Sequence, residues 1–122
     1  MKIPIIKYSD KTLDRLSIFM RIAGITLWPY IILREKYKKQ SYWKKRAPRI
    51  INHESIHIKQ QQELLVIPFY LIYILEWFIK LFIYGKKAYY NISFEREAYD
   101  NDDNILYLST RKNYAWIKRI IK

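Results

Sequence analysis

Apolar residues recur every three or four positions along most of the chain, the period of a helix with one buried face. Leu13, Leu16, Met20 and Ala23 share one side of a helix predicted over roughly 10–22, which Ser9 and Asp10 can cap and Gly24 ends. The run 24–37, GITLWPYIILREKY, is β-branched and aromatic instead, with Pro29 inside it. Proline cannot donate to a ladder, so this run predicts an edge strand or a bent hairpin, not a central strand. Pro48 opens a helix of about 49–66, and Pro68 breaks it and opens another over 68–84, stopped by Gly85. Ser93 caps a fourth helix, about 93–109, with Glu95 and Glu97 in the first turn, where carboxylates suit the helix dipole. A short basic amphipathic tail, NYAWIKRIIK, closes the chain. The pattern is that of a mainly α fold with a minor β part: one short edge strand or hairpin ahead of the second helix.

Composition sharpens this picture. At 122 residues the chain fits one domain, 1–122, with a real core. A hydrophobic content of 51% excludes disorder, and only two glycines leave few tight turns. With no cysteine, disulfides and thiolate zinc sites are excluded. Twenty-three basic against eleven acidic residues give a net charge of +12, which favours anionic partners such as lipid headgroups or nucleic acid. Residues 34–49 concentrate that charge, interleaving Lys and Arg with Tyr37, Tyr42 and Trp43. Such a segment suits an anionic membrane surface, single-stranded nucleic acid or plain solvent. No nucleic-acid-binding motif accompanies it, so nucleic acid is not the expected partner. The first residues, MKIPIIKYSDKTLDRL, carry charges early and no long apolar stretch, so no signal peptide is expected. The expected location is the cytoplasm, with peripheral attachment to the inner face of the membrane as an extension.

Residues 64–84, LLVIPFYLIYILEWFIKLFIY, approach the length of a membrane span. Glu76 and Lys80 interrupt them at the i, i+4 spacing that lets them pair, and Pro68 shortens them. The expectation is a central core helix, with contact to a membrane surface as the alternative.

The chemistry resides in the only two histidines, His53 and His57, which sit four apart in His53-Glu54-Ser55-Ile56-His57. On a helix that spacing stacks both imidazoles on one face, where one metal ion can take both. Glu54, turned about 100° from His53, lies beside such a metal and can take a proton from its water. Catalytic zinc uses three protein ligands and keeps the fourth position for water. With no further His or Cys, the third must be Asp or Glu, and the segment FEREAYDNDD supplies candidates.

HExxH followed downstream by a helix reading E-x-x-A resembles the gluzincin arrangement of small or membrane-associated zinc peptidases, among them the prenyl-protein endopeptidase and phage-repressor-cleaving types. The chain is also similar, over roughly residues 24–110, to short bacterial proteins reading NHExIHxxQQxELL and NISFEREAY. The gluzincin resemblance implies a zincin-like helical domain binding Zn2+ through His53, His57 and Glu95, with Ala98 as the small residue that lets helices approach. Many such proteins carry Asp or Asn after that alanine, where this chain has Tyr99.

Geometry agrees with Glu95. His57 lies roughly 14 Å before the end of its helix, the next helix returns about 25 Å antiparallel, and loop 85–92 climbs back about 10 Å. Glu97, two residues on, faces another way and is the alternative ligand, or a group that orients a histidine ring. Gln61 and Tyr99 are further candidates, for substrate contact and for oxyanion stabilisation, with solvent exposure and core packing as their plain alternatives. The resulting expectation is a zinc-dependent hydrolase acting on a peptide or protein, with Glu54 as general base and the strand around 26–33 holding an extended substrate. The competing expectation is a non-enzymatic basic protein on a membrane or nucleic acid, its HExxH structural or degenerate.

Overall fold

A computed structural model of the protein describes residues 4–16, 23–39 and 46–121. They are mostly helical with a small three-stranded sheet, and pack as two compact units, Met1–Ile58 and Lys59–Lys122, divided within one continuous helix.

The first unit holds β1 (Ile5–Tyr8), α1 (Asp10–Leu16), β2 (Gly24–Leu27), β3 (Tyr30–Leu33), a 3-10 turn at Glu35–Lys38, and most of α2 (Ala47–Glu63). Ser9 caps α1 as expected, accepting from the Thr12 amide at 3.2 Å. Residues 17–22, the expected second half of that helix, lie outside the described residues, as do 40–45 with Tyr42 and Trp43.

The run 24–37 forms the bent hairpin, with Gly24 opposite Leu33 and a cis Trp28–Pro29 peptide in the turn. One expectation fails here. β3 is the central strand, antiparallel to β2 and parallel to β1, with Ile5 opposite Tyr30. Pro29 sits in the turn and not in a ladder, so its missing N–H constrains neither strand, and β1 was not anticipated from the short IIKY segment. Gly24 admits no larger residue without movement, because a Cβ there would stand 2.8 Å from the Leu33 side chain. Ile31, Leu33, Tyr37, Ala47 and Ile58 form this unit's core, with Ile6, Tyr8, Trp28, Ile50 and Ile51 against it.

The second unit begins in the last turn of α2 and continues through α3 (Ile67–Tyr84), 3-10 turns at Gly85–Lys87 and Tyr89–Asn91, α4 (Ser93–Asn101) and α5 (Tyr107–Thr110). Leu65 and Val66 take positive φ between α2 and α3, and Gly85, at φ 58°, ends α3. The fourth helix is shorter than the expected 93–109. It stops at Asn101, where the run Asn-Asp-Asp-Asn offers side-chain alternatives to helical bonding; Asn104 Oδ1 accepts from the Leu106 amide at 3.0 Å. Ser93 is not the cap either. Ile92 holds that position, and the Ser93 amide and hydroxyl both donate to the Glu76 carboxylate at 2.6 Å.

Phe69, Ile92, Phe94 and Trp116 make the second core. Phe94 stands between Phe69 and Trp116, with ring centroids 4.5 and 4.7 Å away, so the tail is tied into this unit.

Helix α3 overturns the core-helix expectation. Only 17% of its most apolar stretch is buried, while its two charged residues face inward. Lys80 Nζ donates to Glu76 Oε1 at 2.7 Å and to the Asn91 carbonyl. Asn91, Ser93 and Glu95 meet Lys80, Glu76 and Tyr73 in turn, so the chain after Gly85 returns along α3.

Replacing one member of the buried Glu76–Lys80 pair strands the other. Lys80→Met should lower unfolding stability by roughly 3–5 kcal/mol in denaturant titration; an unchanged midpoint would show that the pair contributes nothing.

Candidate metal centre

Helix α2 places the histidines. His53 and His57 are both buried, 6% and 4% exposed, with ring centroids 4.9 Å apart and the rings nearly perpendicular, as one turn of helix requires. Glu54, also buried, is turned toward the sheet. Thr26, in the middle of β2, donates its hydroxyl to Glu54 Oε1 at 2.7 Å. The other carboxylate oxygen lies 3.9 Å from His53 Nε2. One oxygen is therefore fixed by the sheet and the other stands beside the histidine pair.

Glu95, in the second unit, lies in the first turn of α4. Tyr73, from α3, donates to its Oε2 at 2.6 Å, and Tyr89 donates to its Oε1 at 3.2 Å. Burial first, and the Glu95 charge next, push the Tyr89 hydroxyl far above the usual tyrosine range, so it stays a donor. The start of α4 is itself fixed to the end of α2. Gln60, fully buried, donates to the Phe94 carbonyl at 3.1 Å, one residue before Glu95. It does so from the helical turn that follows His57.

The ligand atoms of His53, His57 and Glu95 all lie within 4.8 Å of one another, and all three residues are buried. Two imidazole nitrogens and one carboxylate oxygen form a donor set that suits a transition metal ion, so the residues present fit such an ion. Glu54 is not in this group.

Glu97 is engaged elsewhere. Gln60 donates to its Oε1 at 2.9 Å, Tyr107 to its Oε2 at 2.8 Å, and Arg111 to both oxygens, so it orients no histidine ring. Burial alone would raise the Glu97 carboxyl, but the hydrogen bonds from Arg111 and Gln60 outweigh it and hold the group below the usual glutamate range. Arg111 also pairs with Glu63, which bolts the segment after α5 onto the end of α2. Gln61 is fully buried, not solvated. Tyr99 is 40% exposed rather than in the core, and its hydroxyl lies 3.1 Å from that of Tyr89, one step removed from Glu95.

Thr26, Gln60, Tyr73, Tyr89 and Arg111 are the site-supporting residues that sequence patterns do not single out. Tyr73 is hidden in an apolar run and Gln60 in the polar triplet Gln60-Gln61-Gln62. Only that triplet, which begins three residues after His57, carries a signal in the sequence. No model of a known protein family, no curated protein and no solved structure matches the chain.

Because Glu97 is held low in the folded chain, its contribution is complete above the pKa of an unfolded glutamate and is lost as pH falls through the lower folded value. Urea unfolding in EDTA should show Glu97→Gln costing roughly 1–3 kcal/mol at neutral pH and progressively less in acid. A cost independent of pH would contradict the ionised Glu97.

Proposed function

We propose that this chain is a zinc-dependent hydrolase of gluzincin type, a peptidase, built on a zincin-like arrangement of α2, α4 and the small sheet. The observation that carries the reading is the buried grouping of His53, His57 and Glu95 with a separate carboxylate, Glu54, fixed beside it. Held by these three residues, a zinc ion would supply Lewis-acid chemistry, lowering the pKa of a water and polarising a carbonyl.

The chain's own residues supply the rest. Tyr73 and Tyr89 hold the Glu95 carboxylate in one orientation, as metal-binding carboxylates are commonly held by neighbouring donors. Thr26 fixes Glu54 through Oε1, which leaves Oε2 to accept a proton from the attacking water and to pass it to the leaving amine. An amide at position 54 could not accept that proton.

A peptide is favoured as substrate by the position of β2. Strand addition at Tyr30–Leu33 is excluded, since β3 is paired on both sides. Gly24–Leu27 is an outer strand of the sheet, and Thr26 within it is the residue that grips Glu54. An extended peptide added along β2 would run past the proton acceptor.

Elemental analysis of the purified chain should find close to one zinc per molecule, falling sharply in His53→Ala, His57→Ala and Glu95→Ala. Glu54→Gln should keep the zinc and the circular dichroism spectrum yet lose at least a hundredfold in cleavage of a fluorogenic peptide library. Equal, negligible zinc in the native chain and the histidine variants would leave the non-enzymatic reading. Loss of zinc in Glu54→Gln would make Glu54 a ligand.

A further inference from the structure

The outer face of α3 reverses the usual arrangement of a helix in a water-soluble protein. Leu71, Ile74, Phe78, Ile79, Phe82 and Ile83 are all exposed, from 53% at Ile79 to 82% at Phe82. The only charged residues of the helix, Glu76 and Lys80, are buried on the opposite side and bonded to each other. In water the pattern should be inverted, with charges outward and leucine-sized residues against the core. Polar groups turned inward, with an uninterrupted apolar stripe outward, is the arrangement of a helix that faces lipid. A contiguous stripe of this size marks an interaction surface.

We propose that the outer face of α3 lies in the plane of an anionic bilayer and attaches the chain to the membrane surface. Three observations select this occupant. The eighteen residues of α3 extend about 27 Å, and none of its exposed side chains is charged, so no polar partner surface is matched. Exposed Lys86 and Lys87 follow the helix directly, beside the part-exposed Tyr84 and Tyr90, which supplies cations and amphipathic rings at headgroup level. The net charge of +12 attracts an anionic surface and repels a second copy of the chain.

The in-plane orientation follows from the one-sided exposure. The inward side of α3 is packed with Phe94 and Ser93, and Tyr73 on that side holds Glu95. An interfacial helix buries one face about 5–10 Å deep and leaves the other to the protein. A crossing helix would instead carry Glu95 and the returning segment 85–92 into the hydrocarbon. The attachment does not rest on the metal centre.

Flotation of the purified full-length chain with vesicles tests this directly. The chain should float with phosphatidylcholine vesicles containing phosphatidylglycerol, and at least tenfold less with pure phosphatidylcholine. Phe78→Glu/Phe82→Glu, both at exposed sites, should abolish flotation with an unchanged thermal melt. Lys86→Glu/Lys87→Glu should weaken binding to anionic vesicles alone. Equal flotation of the native chain and Phe78→Glu/Phe82→Glu would overturn the proposal. So would a native dimer that these substitutions dissolve in the absence of any vesicle binding, since a second copy would then cover the face. Resistance of the bound chain to alkaline carbonate would overturn the in-plane orientation in favour of a crossing.

Discussion

The Gln60 side-chain amide, wholly removed from solvent near the end of α2, donates to the Phe94 carbonyl and to the Glu97 carboxylate. Gln60 grips the backbone immediately before Glu95 and so fixes the start of α4 against the end of α2. Arg111 adds a second clamp by joining Glu97 to Glu63, again on α2. Because these polar groups are buried, a shift of α4 would leave several of them without partners at once, which makes the register costly to lose.

The sequence reveals the candidate residues more fully than it reveals the fold around them. The i, i+4 histidines and the neighbouring glutamate are local features, so the 3.6-residue period alone places them. Glu95 is singled out by the E-x-x-A resemblance, while helix facing says only that Glu95 and Glu97, two residues apart, point different ways. Central β3 is not legible, because Tyr30–Leu33 looks like an edge segment when read beside Pro29. Its pairing with β1 depends on a contact twenty-five positions away that no periodicity encodes. Helix α4 ends early because Asn and Asp side chains compete for its backbone, a local conflict that a helical apolar pattern overrides on paper but not in the fold.

Helix α3 shows most clearly what composition leaves undecided. A run of apolar residues with one ion pair suits the middle of a core, a bilayer span or a bilayer surface equally well, and only the direction in which Glu76 and Lys80 point distinguishes them. That direction also removes a topological conflict. A lone crossing would separate the histidines from Glu95, whereas the observed return of residues 85–95 along the inner side of α3 brings Glu95 level with Tyr73. The inner face of α3 thus holds Glu95 through Tyr73, while its outer face is apolar and exposed. The candidate base is fixed from the other direction, by a hydroxyl on an outer strand of the small sheet.

Zinc K-edge X-ray absorption of the purified chain reads the donor atoms themselves. Zinc held by His53, His57 and Glu95 should give the multiple-scattering signature of two imidazoles together with oxygen donors, all at about 2.0–2.2 Å, and no sulfur. A spectrum with one imidazole or none would contradict this ligand set.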